Sequence, residues 1–327
     1  MFIPPRFIRP RRLRRTAAIR DLIAETDLRP RHLVQPHFVT QSAGRQEIAS
    51  LPGIARAGLV ETLRQVEQDL KLGLRSVLLF GVPDFKSPLA EHSHDPEGIV
   101  PQTVKALKSS FGDDLIVMTD VCLCAYTDTG HCGIAHGSEI ANDESVAILS
   151  EMALAHAQAG ADVVAPSDMM DGRVHAMRAR LDEGGCPNTA ILSYAIKHAG
   201  AYYGPFRDAA DSSPKFGDRR SYQMDPRNAR EGLRDALLDV EEGADILMVK
   251  PGIHNLDLIW RLREATLLPI ASYHVSSEFS AVKAAAQLGW VNGDQLMLEQ
   301  LLSLRRAGSD MIITYAAREA LQQAWIS

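Results

Sequence analysis

The sequence has 327 residues, 46% hydrophobic and 23% charged, with four cysteines and a formal net charge of −6. This is the composition of a globular protein with a large core, and it excludes a disulfide-stapled miniature and a disordered chain; with no apolar run of 18 residues, it also excludes a helical membrane protein. The charge is unevenly placed: residues 1–20 hold seven arginines and no acid, so the net −6 leaves −13 on residues 21–327.

Residues 1–30 read as a basic arm, with Arg6, Arg9, Arg11, Arg12, Arg14, Arg15 and Arg20. The acidic body behind it repels phosphate, and neither a basic domain nor interleaved aromatics accompany the arm. The pattern therefore favours contact with another subunit, or a solvated tail, over nucleic acid. The arm has no apolar stretch of signal-peptide length, so a cytoplasmic, reducing location is expected, with no membrane partner.

Over 31–327, eight short β-rich apolar runs recur: "HLVQPHFV" (32–39), "SVLLFGV" (76–82), "DLIVMTDV" (114–121), "ADVVAPSD" (161–168), "TAILSYAI" (189–196), "DILMVK" (245–250), "PIASYHV" (269–275) and "DMIITYAA" (310–317). Segments of helical period lie between them. "ESVAILSEMALAHAQAG" (144–160) stops at Gly160; "DPRNAREGLRDALLDVEEG" (225–243) reads as a helix with Asp225 as N-cap, Pro226 at its first position and Gly243 at its end. Continuous apolar strands alternating with helices imply a parallel sheet covered on both faces, and eight units imply a closed (β/α)8 TIM barrel of the α/β class. An open doubly wound sheet is the alternative, but no Gly-rich turn follows the first strand.

In such barrels chemistry gathers at the carboxyl ends of the strands. Asp120 and Cys122 end run three, Asp168 run four, Lys197 run five, Lys250 run six and Ser276 run seven, while Tyr315 lies within run eight. Lys250 leaves a run of apolar residues with its ammonium poorly solvated, which favours the neutral, nucleophilic amine; a lysine snorkelling to solvent is the plainer account. Lys197 repeats the situation one strand earlier. Adjacent strands lie about 4.8 Å apart, so two amines in one pocket would depress each other's pKa and could hold two carbonyl substrates as imines.

Cys122, Cys124 and Cys132 crowd three of the four thiols into "DVCLCAYTDTGHCG". The spacing is not the Cys-x2-Cys of structural zinc knuckles, and three thiolates with an open position suit a reaction-centre metal; a Cys122–Cys124 redox pair is the alternative. His131 reads as a supporting or merely polar neighbour, and Cys186 as inert. The aperiodic segment 203–224 is long for a barrel loop and reads as a lid. Its Arg207, Arg219, Arg220 and Gln223 could grip a substrate carboxylate or simply face solvent.

Together, "DVCLCAYTDTGHCG", "SYAIKHAGAYYGPFR", "GDRRSYQM" and "GADILMVKPG" resemble the porphobilinogen synthase (5-aminolevulinate dehydratase) family, and the likeness runs over essentially the whole chain. The resemblance implies a (β/α)8 barrel that condenses two 5-aminolevulinate molecules into porphobilinogen with loss of water, in tetrapyrrole synthesis. By it, Lys250 forms the Schiff base with the propionate-side substrate and Lys197 with the acetate-side one. Cys122, Cys124 and Cys132 hold zinc. Arg207, Arg219 and Gln223 hold the acetate-side carboxylate, Ser276 and Tyr315 the other, and Asp120 lies near the acetate-side amine. The arm is implied to wrap a neighbouring subunit in a homo-octamer.

The chain departs from the family pattern at His198, where an aromatic residue is common, at Asn255, where tyrosine is usual, and at His274 and Ser277, where glutamine and glycine are expected. Asp235 stands where many bacterial members bind an allosteric magnesium through a glutamate, and the shorter side chain leaves that site open. A Schiff-base aldolase, needing one imine lysine and no thiolates, and a non-enzymatic zinc-binding protein are the competing functions.

Overall fold

A computed structural model of the chain describes residues 8–326. All eight apolar runs become strands of one barrel: β1 Leu33–Thr40, β2 Ser76–Val82, β3 Ile116–Val121, β4 Val163–Pro166, β5 Ala190–Lys197, β6 Ile246–Lys250, β7 Ile270–His274 and β8 Met311–Thr314. Every neighbouring pair is parallel, and β8 pairs back onto β1 through Leu33 opposite Ile312, closing the barrel. Closure leaves none of these eight strands at a free edge, and the apolar runs are buried from both sides, inside by one another and outside by helices.

The outer helices are α1 Leu59–Lys71, α2 Ile99–Phe111, α3 Asn142–Gln158, α4 Arg173–Glu183, α5 Ala229–Glu241, α6 Leu256–Ala265, α7 Ser276–Gln287 and α8 Gly293–Ala307. The stops foreseen at Gly160 and Gly243 hold, both at positive φ (105° and 104°), where a residue with a Cβ would be strained. The start of α5 does not follow the expectation. Asp225 is no N-cap: its carboxylate accepts from the Arg227 amide at 2.9 Å and from the Arg227 guanidinium, forming a local turn, and α5 begins at Ala229 behind Asn228. The preceding Met224 bridges to His198, so this stretch is held as an extra strand-like edge rather than freed for helix.

Inside the barrel, Phe38, Phe80, Phe206, Tyr273 and Tyr315 form a connected aromatic cluster, with ring centroids 5.1–6.4 Å apart. The arm residues 8–22 form a 3-10 turn (Pro10–Arg14) and a short helix (Ala17–Leu22) with no buried residue. Arg6 lies outside the described residues. Among the described residues, no helix is long and apolar enough to cross a membrane.

Candidate active site

Lys197 and Lys250 are opposite one another in register, the last residues of β5 and β6. Both are buried. Their nitrogens share one aromatic face: Nζ of Lys250 lies 5.0 Å, and Nζ of Lys197 5.6 Å, from the Tyr194 ring centroid. Around Lys250 the rings of Tyr273 (4.3 Å), Phe206 (4.9 Å) and Tyr203 (5.5 Å) complete a box. Ring faces soften the loss of water around a cation without replacing it. Desolvation, and then the charge of Lys197, pull the Lys250 pKa down to about 7. Lys197 donates to the Ser167 carbonyl at the end of β4.

Strand alternation would put Tyr194 and Lys197, three apart, on opposite faces. They share a face because β5 carries a bulge. From Leu247 opposite Ser193 to Val249 opposite Ile196, β6 advances two residues while β5 advances three. The extra residue resets the phase.

On β3, desolvation raises the carboxyl pKa of Asp120 to about 6 against the pull of both lysines; its Oδ1 has no hydrogen-bond partner among the described residues. Just beyond, the sulfurs of Cys122, Cys124 and Cys132 lie within 4.8 Å of one another, all buried. Among the described residues this is the one such convergence of potential ligands. Hydrogen bonds from Cys122 and Cys124 favour the thiolate on Cys132, and the same contacts hold Cys122 protonated. Three sulfurs at this spacing suit a tetrahedral ion with bonds of about 2.3 Å, leaving one position free. Cys186 is not part of this group; it packs against the core and its thiol donates to the Gly184 carbonyl at 3.9 Å.

The segment 203–224 begins as a short helix (Gly204–Ala210) and then covers the cysteine loop. Lys215 N donates to Thr129 O at 2.9 Å, Arg219 to Gly130 O at 2.9 Å, and His131 contacts Tyr222 OH at 2.9 Å and Phe216 O at 3.0 Å. His131 thus faces this segment. Arg219 and Gln223 are buried, and both amide atoms of Gln223 and Nε of Arg207 lack hydrogen-bond partners among the described residues. Arg220, by contrast, is exposed beside Asp218. Tyr315 OH meets Tyr273 OH at 3.1 Å beside Lys250, and Ser276 accepts from Phe206 N at 3.1 Å. Eleven of the foreseen site residues therefore lie at the carboxyl ends of the barrel strands or on the segment 203–224 that covers them.

Asp235 is not among them. It sits on α5, paired to Arg234 at 2.9 Å, in the wall of a cavity of about 750 Å³ whose lining also includes Gln223, Glu231, Glu242 and the buried Asp239. It belongs to no convergent ligand group. Of the departures, His198 donates its backbone N–H to Lys250 O, Asn255 holds Pro251 O at 2.8 Å, His274 bridges Thr314 and Gln300, and Ser277 lies in the first turn of α7. The residues overlooked in the sequence are Tyr194, Tyr203, Phe206 and Tyr273 of the lysine box, and Ser167. Tyr194, Tyr202, Tyr203 and Phe206, which flank Lys197 in the sequence, were the available signal; Tyr273, on another strand, gave none.

Comparison with known proteins decides the family. Residues 7–323 match the family model described as delta-aminolevulinic acid dehydratase. The chain belongs to that family. Relatives bearing the same name include those of Methanothermobacter thermautotrophicus, 51% identical over 96% of both chains, and Bacillus subtilis, 44% identical over 98% of both. Among solved structures, the dehydratase of Toxoplasma gondii in complex with porphobilinogen superposes with a TM-score of 0.95 at 44% identity, covering 98% of this chain and 92% of that one. Membership of the dehydratase family makes this an enzyme, a hydro-lyase on a TIM barrel.

Proposed function

We propose that the chain condenses two molecules of 5-aminolevulinate into porphobilinogen with loss of water, through imines on Lys250 and Lys197. The observation that carries this is the register pairing of two buried lysines in one aromatic pocket. Joining two amino-ketones needs both carbonyls activated at once, side by side. A neutral amine attacks a ketone, water leaves, and the resulting iminium draws electrons from the adjacent carbon, so that its C–H can be lost to a base. With its pKa near 7, Lys250 is the better placed to begin.

Lys250 would hold the propionate-side substrate, with Ser276 and Tyr315 on its carboxylate. Lys197 would hold the acetate-side one, with Arg207, Arg219 and Gln223 on its carboxylate and Asp120 beside its amine. The unpartnered atoms of Gln223, Arg207 and Asp120 support this, since buried polar groups ordinarily find partners and a substrate bearing a carboxylate and an amine supplies them. Zinc on Cys122, Cys124 and Cys132 would supply a Lewis acid next to that amine. The docking of 203–224 on the cysteine loop supports its role as a lid, which excludes water while the imines exist.

The same reading makes the enzyme cytoplasmic and homo-octameric, with the exposed basic arm clasping the acidic body of a neighbour. A stable, fully active monomer in sedimentation would end that part. The magnesium at Asp235 rests on that side chain alone, and stimulation of the chelated, zinc-restored enzyme by magnesium would be its support. The central test is colorimetric detection of pyrrole formed from 5-aminolevulinate, followed by borohydride trapping and mass mapping. Label on both lysines is expected. Label on Lys250 alone, without pyrrole, would point to a single-imine aldolase.

A further inference from the structure

Behind the pocket, on the face of β5 away from the lysines, lies a buried polar cluster that the mechanism above does not use. Arg173, the first residue of α4, reaches from the helix layer into the strands. Its Nη2 donates to Ser193 Oγ at 3.0 Å, to Tyr194 O at 3.3 Å and to Asp239 at 3.2 Å; its Nη1 donates to Met170 O at 3.2 Å. Ser193 in turn donates to Asp239 Oδ2 at 2.5 Å. Asp168 faces Arg173 at 4.0 Å and accepts from Met170 N at 2.8 Å.

The partners of this guanidinium are specific. Tyr194 O belongs to the bulge that turns Lys197 into the pocket. Met170 and Asp168 belong to the turn after β4, whose Ser167 carbonyl receives the Lys197 amine. Arg173 therefore braces Lys197 from both sides, from the strand that carries it and from the strand end that receives it. Among the described residues none of its hydrogen bonds reaches β6, the strand of Lys250; the one shared element is Tyr194, whose ring lies by both amines. A bulged strand left to itself prefers regular alternation, which would take Tyr194 and Lys197 to different faces. A rigid planar fork with five donors can span three elements at once, and an ammonium cannot.

We infer that Arg173 is a positioning residue for Lys197: it pins the β5 bulge and the β4 turn so that the Lys197 amine meets its ketone. The proposal rests on the two-lysine reading and assigns Arg173 to one of the two imines.

The test is borohydride trapping with 5-aminolevulinate, comparing label on Lys197 with label on Lys250 in the full-length enzyme. Arg173→Lys keeps the charge that Asp168 and Asp239 face but loses the fork. It should lower the Lys197:Lys250 label ratio about tenfold, the scale of a displaced reacting group. Ser193→Ala removes the two hydrogen bonds of one hydroxyl and leaves the Arg173–Asp239 ion pair in place. It should lower the ratio about twofold, and it decides the matter if Arg173→Lys does not fold. A role in stability alone would lower the melting temperature, or trap less at both lysines equally, and leave the ratio unchanged. An unchanged ratio overturns the positioning role while the two-lysine reading stands. Absence of label on Lys197 in the unaltered enzyme overturns that reading, and this proposal with it.

Discussion

Lys250 and Lys197 stand opposite each other at the ends of adjacent parallel strands, with both amines over the ring of Tyr194. After burial, the charge of Lys197 is the largest influence that pulls the Lys250 pKa down. The pairing has a measurable consequence. With its pKa near 7, Lys250 is neutral in about one molecule in ten at pH 6 and about nine in ten at pH 8, so trapping at Lys250 should climb steeply over that interval and then level. Replacing Lys197 with Met removes a like charge, which favours the protonated form of Lys250 and raises its pKa. The midpoint for trapping at Lys250 should therefore move to higher pH in Lys197→Met. A midpoint that stays put would mean that burial alone sets it.

The cysteine cluster predicts a stoichiometry. Removing one of three sulfurs leaves two protein ligands for an ion that takes three or four. Cys124→Ala should bring bound zinc, measured by atomic absorption after dialysis, down by about tenfold or more, while circular dichroism shows an intact barrel. Full zinc occupancy in this variant would contradict the proposed ligand set.

Gly130 has φ of +72°, and a Cβ there would strike the Ser213 carbonyl oxygen, so the close approach of the two segments requires glycine. Gly130→Ala should lift residues 212–222 from the cysteine loop. Tryptic cleavage after Lys215, Arg219 or Arg220 should accelerate about tenfold, with KM for 5-aminolevulinate rising in parallel. If cleavage rates match those of the unaltered enzyme, the docking seen at Thr129, Gly130 and His131 does not hold the segment.

The barrel's closing seam is bolted by Asp69 of α1. It receives Arg318, from the short helix Ala317–Gln322 after β8, at 2.5 and 2.9 Å and His37 of β1 at 3.3 Å. Burial alone would raise the Asp69 pKa, but the hydrogen bonds from Arg318 and His37 outweigh it and hold the carboxyl below its ordinary value. A depressed folded-state pKa gives stability that is present above the unfolded carboxylate pKa of about 3.9 and is lost as pH falls through the folded value. Asp69→Asn should cost about 3 kcal/mol at pH 7, because it leaves the Arg318 charge unpaired. The variant should also be less acid-sensitive than the parent. Denaturation at pH 7 and at about pH 3, inside that window, checks both.

Much of this protein was legible along the chain. The eight strands could be read because a parallel barrel demands apolar residues on both faces, and such runs stand out. Lys197, Lys250 and the three cysteines stood out for the opposite reason, as reactive polar groups where apolar residues were due. The start of α5 misled, because Asp225 followed by proline looks like a cap whether or not its carboxylate is taken by Arg227 two residues on. What only the tertiary structure decided is register. The β5 bulge, the seat of Tyr194, the reach of Arg173 across three elements and the closing of 203–224 over Gly130 all depend on which residue faces which across the barrel. A linear sequence fixes the spacing of side chains along a strand, and a single extra residue in one of two hydrogen-bonded ladders is enough to turn every later side chain to the other face.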